Sequence, residues 1–186
     1  KNIMKNYIIV DLEATCWKKG TSPNRMEIIE IGAVLLNDNS FKIQREFSKF
    51  VKPINEPILS NFCKELTSIN QNDIDNAEIF PIVFNNFINW IGKIEFSLCS
   101  WGAYDLNQFK IDCERHSMDF PKKFNNHINF KKEFASINNI KPCGMKRALQ
   151  LSNLELDGVH HRAISDVRNI SKLTEIILSK NKIIKK

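Results

Sequence analysis

The chain has 186 residues, 42% hydrophobic and 26% charged, a balance that permits a substantial packed core and excludes a disordered chain. Its formal net charge of +6 suits a polyanionic partner without requiring one, and no apolar run is long enough to span a bilayer or to form a signal-peptide core. The five cysteines (Cys16, Cys63, Cys99, Cys113 and Cys143) are scattered, with no Cys-x-x-Cys or Cys/His ligand spacing, so a disulfide framework and a zinc site are both disfavoured and a reducing, cytoplasmic setting is expected.

The first predicted element is the apolar run 7–10, which ends at Asp11 and reads as a buried central strand. Residues 27–36 form a second β-branched run, and Asn37, Asp38, Asn39 and Ser40 supply turn chemistry. Phe41, Ile43, Phe47, Lys49 and Val51 then largely alternate with polar residues, which predicts a third strand and an antiparallel meander. Ile58, Leu59, Phe62, Cys63 and Leu66 share one helical face, as do Val83, Phe84, Phe87, Ile88 and Ile91. A short strand is predicted at 96–99, a helix at 105–116 with Leu106, Phe109 and Cys113 inward, and a fifth strand at 127–130. Helices at 145–149 and 164–178 close the fold, the last with Ile164, Val167, Ile170, Thr174 and Ile177 on one stripe. With no repeat and no linker, one domain is expected over 1–186, with a core at about 7–178 and a fraying basic tail at 180–186. Strands followed by interleaved helices and strands predict an α/β layered fold, whose sites form at the carboxyl ends of strands.

Asp11 and Glu13 stand two apart on the first strand and so face the same way. Two such carboxylates repel, and one pKa rises unless a cation intervenes; hard oxygen donors of this kind suit Mg²⁺ or Mn²⁺. A solvated strand end with two acids would carry the same residues. His161 and Asp166 are five apart, an offset of about 140° on one helix. If the helix begins after His161, the histidine lies on a loop above a site that Asp166 faces. Otherwise His160 and His161 are surface loop residues, and Asp166 is a first-turn acid favoured by the macrodipole. Asp105 follows Trp101, Gly102 and Tyr104 between a strand and a helix, as either a helix-start acid or a third metal carboxylate.

Order and context make these residues more specific. The stretch 7–16, ending Asp-Leu-Glu-Ala-Thr-Cys, resembles the first motif of the DEDDh (DnaQ-like, RNase T-type) 3′→5′ exonucleases. Residues 27–34, 99–105 and 158–170 resemble that family's next strand, its second motif and its third, the last with His-x4-Asp spacing that selects His161 over His160. The Glu-Ala-Thr-Cys and His-His-Arg variants, with residues 59–67, Ile69, Phe80 and Pro81, are similar to the branch of the 3′ histone-mRNA exonuclease and the KapD-like bacterial exonucleases. The resemblance covers about 7–177. It implies an RNase H-like mixed five-stranded sheet flanked by helices, and two divalent ions, Mg²⁺ or Mn²⁺, held by Asp11, Glu13, Asp105 and Asp166. His161 would be general base, and nucleoside 5′-monophosphates would leave a nucleic acid with a free 3′ end, single-stranded RNA or DNA. The backbone of Ala14 and Thr15 would sit beside the terminal sugar, with Phe62, Leu66 and Tyr104 as stacking candidates for the base, although Phe62 and Leu66 equally fit an ordinary core. A separate nucleic-acid-binding module like that of the histone-mRNA enzyme is not expected in this chain, so stem-loop specificity is not expected to carry over. Two other functions fit the same fold: a non-catalytic nucleic-acid-binding module and a metal-dependent nucleotide phosphomonoesterase.

Overall fold

The computed structural model describes residues 5–20 and 22–180, so the expected tail beyond Lys180 lies outside the described residues. Strand β1 (Asn6–Ala14) is the middle of five. It pairs antiparallel with β2 (Ile28–Asn37), which pairs antiparallel with β3 (Arg45–Phe50), giving the expected meander. On its other edge β1 runs parallel to β4 (Phe96–Ser100), and β4 parallel to β5 (His127–Asn129). The order β3-β2-β1-β4-β5 is the mixed five-stranded sheet that the sequence led us to expect.

The period-two alternation of β1 divides the core. Ile8, Val10 and Leu12 face helices α3 (Phe80–Ile91) and α4 (Tyr104–Arg115), in a layer packed with Phe84, Phe87, Phe109 and Phe124. Tyr7 and Ile9 face α5 (Phe130–Asn138), α6 (Met145–Leu151) and α7 (Ala163–Leu178). Full burial of each large side chain contributes about 1.5–3 kcal/mol. A third cluster joins Ile29 to Leu59, Cys63, Ile69 and Ile74 through α1 (Asn61–Thr67) and α2 (Gln71–Asp75). By the same alternation Asp11 and Glu13 fall on the α7 face of β1. Their partners across the ladder, Gly32 and Glu30, fall on that face of β2. A Cβ at Gly32 would stand 2.4 Å from the Ala163 carbonyl carbon, so only glycine lets the start of α7 lie directly on β2.

Several expectations need correction. The third strand begins at Arg45 rather than Phe41, because the backbone at Phe41 turns left-handed (φ 51°). Phe41 and Ile43 pack against the α7-side cluster instead of joining the ladder. Helix α1 starts only at Asn61, where the Ser60 hydroxyl caps it by accepting from the Cys63 N–H at 3.0 Å. Ile58 is therefore outside the helix and 71% exposed, while Leu59 and Cys63 are buried. Helix α5 was not anticipated: Asn129 ends the short β5 and at once caps the next helix, accepting from the Lys132 N–H.

Candidate active site

The carboxyl ends of the parallel strands β1 and β4 open into a cleft of about 360 Å³. Asp11 and Glu13 reach it from β1, Asp105 from the first turn of α4, and Asp166 from the first turn of α7. Candidate ligand oxygens of Asp11, Glu13 and Asp166 lie within 4.8 Å of one another. Asp105 stands beside this trio, buried, its Oδ1 accepting from the Leu12 N–H at 3.0 Å and so pinned to β1 between the other two acids.

The electrostatics are those of a site short of positive charge. Burial raises Asp11 well above the usual carboxylate range, and Asp105, Glu13 and Asp166 add to the shift. Burial pushes Glu13 up to about 9, helped by Asp166 and Glu30. Burial also raises Asp105, but the Leu12 N–H pulls it back to about 6. Three carboxylates with convergent oxygens and mutual repulsion, Glu13 and Asp166 buried and Asp11 half-buried, form a donor set that fits a divalent cation.

A stability prediction follows from these shifts. Each folded-state pKa lies above its ordinary value, so the folded protein holds more protons than the unfolded chain between the two, and stability falls as pH rises. The window opens near 4, where the unfolded acids ionise, and extends to about 6 for Asp105 and about 9 for Glu13. The metal-free protein should therefore melt at a lower temperature at pH 8.5 than at pH 5.5. Mn²⁺ should raise Tm more at pH 8.5 than at pH 5.5. Scanning calorimetry in chelator and in Mn²⁺ at both pH values checks this, and a metal-free Tm that rises with pH would contradict it.

The histidines sit on the turn before α7. Because α7 begins at Ala163, His161 precedes the helix rather than riding on it. Its backbone is left-handed (φ 63°), uncommon for a residue with a side chain, and its N–H donates to Asp166 Oδ2 at 3.1 Å. His160 Nδ1 lies 3.0 Å from Asp166 Oδ1, and the two imidazoles stack with centroids 4.0 Å apart. No hydrogen bond among the described residues ties the His161 ring. Burial and the neighbouring His160 hold its pKa below the ordinary value against the pull of Asp166, so His161 is neutral near pH 7.

The remaining expected residues divide. Ala14, Leu66 and Tyr104 line the cleft, Leu66 and Tyr104 with exposed faces. Thr15 does not: its N–H donates to the Glu27 carbonyl at 2.9 Å and its Oγ1 accepts from the Glu27 N–H at 3.0 Å, so backbone and side chain both join the ends of β1 and β2. Phe62 is half-buried and does not line the cleft. Sequence reasoning missed Met26, Trp101, Met145 and His160 as lining residues. Trp101 could have been found, since it stands in the second motif; its indole N–H donates to the Cys143 carbonyl at 3.0 Å, which sets the ring in the wall.

The family model for RNase T exonucleases matches residues 8–174. The chain belongs to the RNase T exonuclease family. It is 34% identical to "ERI1 exoribonuclease 2" of Xenopus laevis over 93% of this chain and 28% of that protein. It is 32% identical to human "3′-5′ exoribonuclease 1" over 90% of this chain and 51% of that protein. The chain thus spans under a third of the first relative and about half of the second. Among solved structures, the nuclease domain of 3′hExo, a DEDDh family member bound to rAMP, superposes with a TM-score of 0.90 at 27% identity. That match covers 99% of this chain and 96% of the other, so the expected RNase H-like exonuclease fold is present across the described residues.

Proposed function

We propose that this RNase T family chain is a metal-dependent 3′→5′ exonuclease releasing nucleoside 5′-monophosphates from single-stranded RNA or DNA. The observation that carries the reading is the convergence of Asp11, Glu13 and Asp166 within 4.8 Å at the floor of an open cleft, with Asp105 and a neutral histidine beside them. Asp11, Glu13, Asp105 and Asp166 would hold a pair of Mg²⁺ or Mn²⁺ ions, which when bound would supply Lewis-acid stabilisation of charge on the attacking and leaving oxygens. His161, untied and neutral, takes the proton of the attacking water. Asp166 holds the His161 peptide through its N–H and so sets where that base stands. Leu66, Trp101 and Tyr104 offer apolar and aromatic surface to a terminal base, and stacking of that kind contributes about 1–3 kcal/mol without reading a base edge. The lean towards RNA comes from the relatives, two of which are named exoribonucleases and one of which was solved with rAMP.

A paired terminal base must give up a few kcal/mol of pairing and stacking to enter such a pocket, and an unpaired end little. Single-stranded 3′ ends should therefore be trimmed faster than blunt duplex, RNA at least as fast as DNA, with weak sequence preference. A time course on labelled single-stranded RNA, single-stranded DNA and blunt duplex of one sequence tests this. Faster trimming of the duplex, or internal cuts appearing first, would overturn it.

A further inference from the structure

Two residues of the sequence motifs have no part in the chemistry above: Glu30, in the stretch 27–34, and Arg162, in the His-His-Arg variant of the third motif. The structure joins them. Glu30 is 1% exposed on β2, and its carboxylate accepts a forked pair from Arg162, Nε at 3.2 Å and Nη2 at 3.1 Å. Its Oε2 also accepts from the Ala163 N–H at 3.0 Å, one of the first-turn donors that a helix leaves unpaired. Arg162 is the N-cap residue of α7, immediately before Ala163, and its side chain makes no capping hydrogen bond to the helix. The guanidinium also lies over the Phe50 ring, 5.1 Å from its centroid.

We infer that Glu30 and Arg162 are positioning residues that hold His161 and Asp166 in register with Asp11 and Glu13. The inference rests on the exonuclease reading for the roles of those four. Glu30 is the ladder partner of Glu13, and Gly32 that of Asp11. The β2 residues directly opposite the two β1 acids are thus the ones that seat α7: Gly32 by its missing Cβ, Glu30 by three hydrogen bonds. Arg162 lies between the two groups being placed. Its predecessor is His161, and its carbonyl accepts from the Asp166 N–H at 2.9 Å. A shift of Arg162 therefore moves histidine and carboxylate together, away from β1. The fork also sets a positive charge against a buried acid that stands beside the crowded carboxylates.

The test uses Glu30→Gln, Arg162→Gln and the double variant, reading kcat, KM, Tm and the Mn²⁺ concentration at half of the Mn²⁺-induced Tm rise. Loss of an outer contact that orients a metal ligand costs roughly 10–100-fold, so each single variant should lose that much kcat and require about tenfold more Mn²⁺. KM for a single-stranded oligonucleotide should stay within about twofold, because the apolar walls are untouched. The double variant should be no worse than the poorer single, since both changes break one contact. Wild-type kcat and Mn²⁺ midpoint in the singles, whatever their Tm, would reduce the pair to a structural tie and overturn the proposal. So would losses that multiply in the double. Should Arg162→Gln fail to fold, Arg162→Lys keeps the charge but not the fork: a lower kcat at unchanged Tm supports the proposal, and wild-type kcat overturns it. Wild-type protein that takes up Mn²⁺ yet releases no nucleotide would overturn the exonuclease reading alone, and the variants' Mn²⁺ midpoints would then decide the positioning role.

Discussion

Asp11→Asn should abolish nucleotide release, by on the order of 10³-fold or more, the scale of losing a charge stabiliser in an enclosed site. That is about 4 kcal/mol of transition-state stabilisation. The substitution keeps size and shape, and it removes the acid that faces Asp105, Glu13 and Asp166 at once. The same crowding makes the accompanying stability change distinctive. With one fewer charge in the cleft, the metal-free variant should melt at or above the wild-type temperature at pH 8.5, and Mn²⁺ should no longer raise it. Asp166→Asn should be equally inactive but is the less clean test. Asp166 also accepts the His161 N–H and meets His160 Nδ1, and an amide satisfies only part of that set. Undiminished cleavage by Asp11→Asn would remove Asp11 from the ligand set.

His161→Ala should lower kcat by about 10²–10⁴-fold, the range for a lost general base. His160→Ala should cost at least about tenfold less, as an outer partner that orients Asp166 does. The structure makes this comparison sharper than spacing alone. Both rings border the cleft and stack on each other, but His160 Nδ1 is engaged with Asp166 while the His161 ring is untied. Burial and the adjacent His160 keep His161 unprotonated near neutrality, the form that a base requires. Single-turnover rates for the two variants decide it. A larger loss in His160→Ala would reverse the assignment.

Much of this site was legible because its spacings have simple consequences. Two acids two apart on a strand must face the same way, and the α7 face of β1 could be followed from Tyr7 and Ile9 to Asp11 and Glu13. His161 and Asp166 five apart make sense only with a helix start between them, and α7 begins between them, at Ala163. What stayed hidden depends on tertiary register. Nothing local marks Glu30 as the seat of α7, because that role is created by the pairing of β2 with β1 and by a partner 132 residues away. Thr15 follows the acidic pair in sequence, but the register shift between Glu13 and Ala14 precedes it and the Glu27 N–H claims its hydroxyl. Phe62 and Leu66 share a helical face by periodicity, yet α1 is only seven residues long, and Leu66 lines the cleft while Phe62 does not. Met26 and Met145 carry no motif, and only the fold brings them to the wall.

The most direct test follows the terminal nucleotide of a single-stranded RNA labelled at the phosphate linking its last two residues. With Mg²⁺ or Mn²⁺, the first labelled product should be the terminal nucleoside 5′-monophosphate, appearing before any shorter internal fragment, and chelator should stop its release. Label leaving as inorganic phosphate or in an oligonucleotide fragment, or release that continues in chelator, would contradict a metal-dependent 3′→5′ exonuclease built on Asp11, Glu13, Asp105, His161 and Asp166.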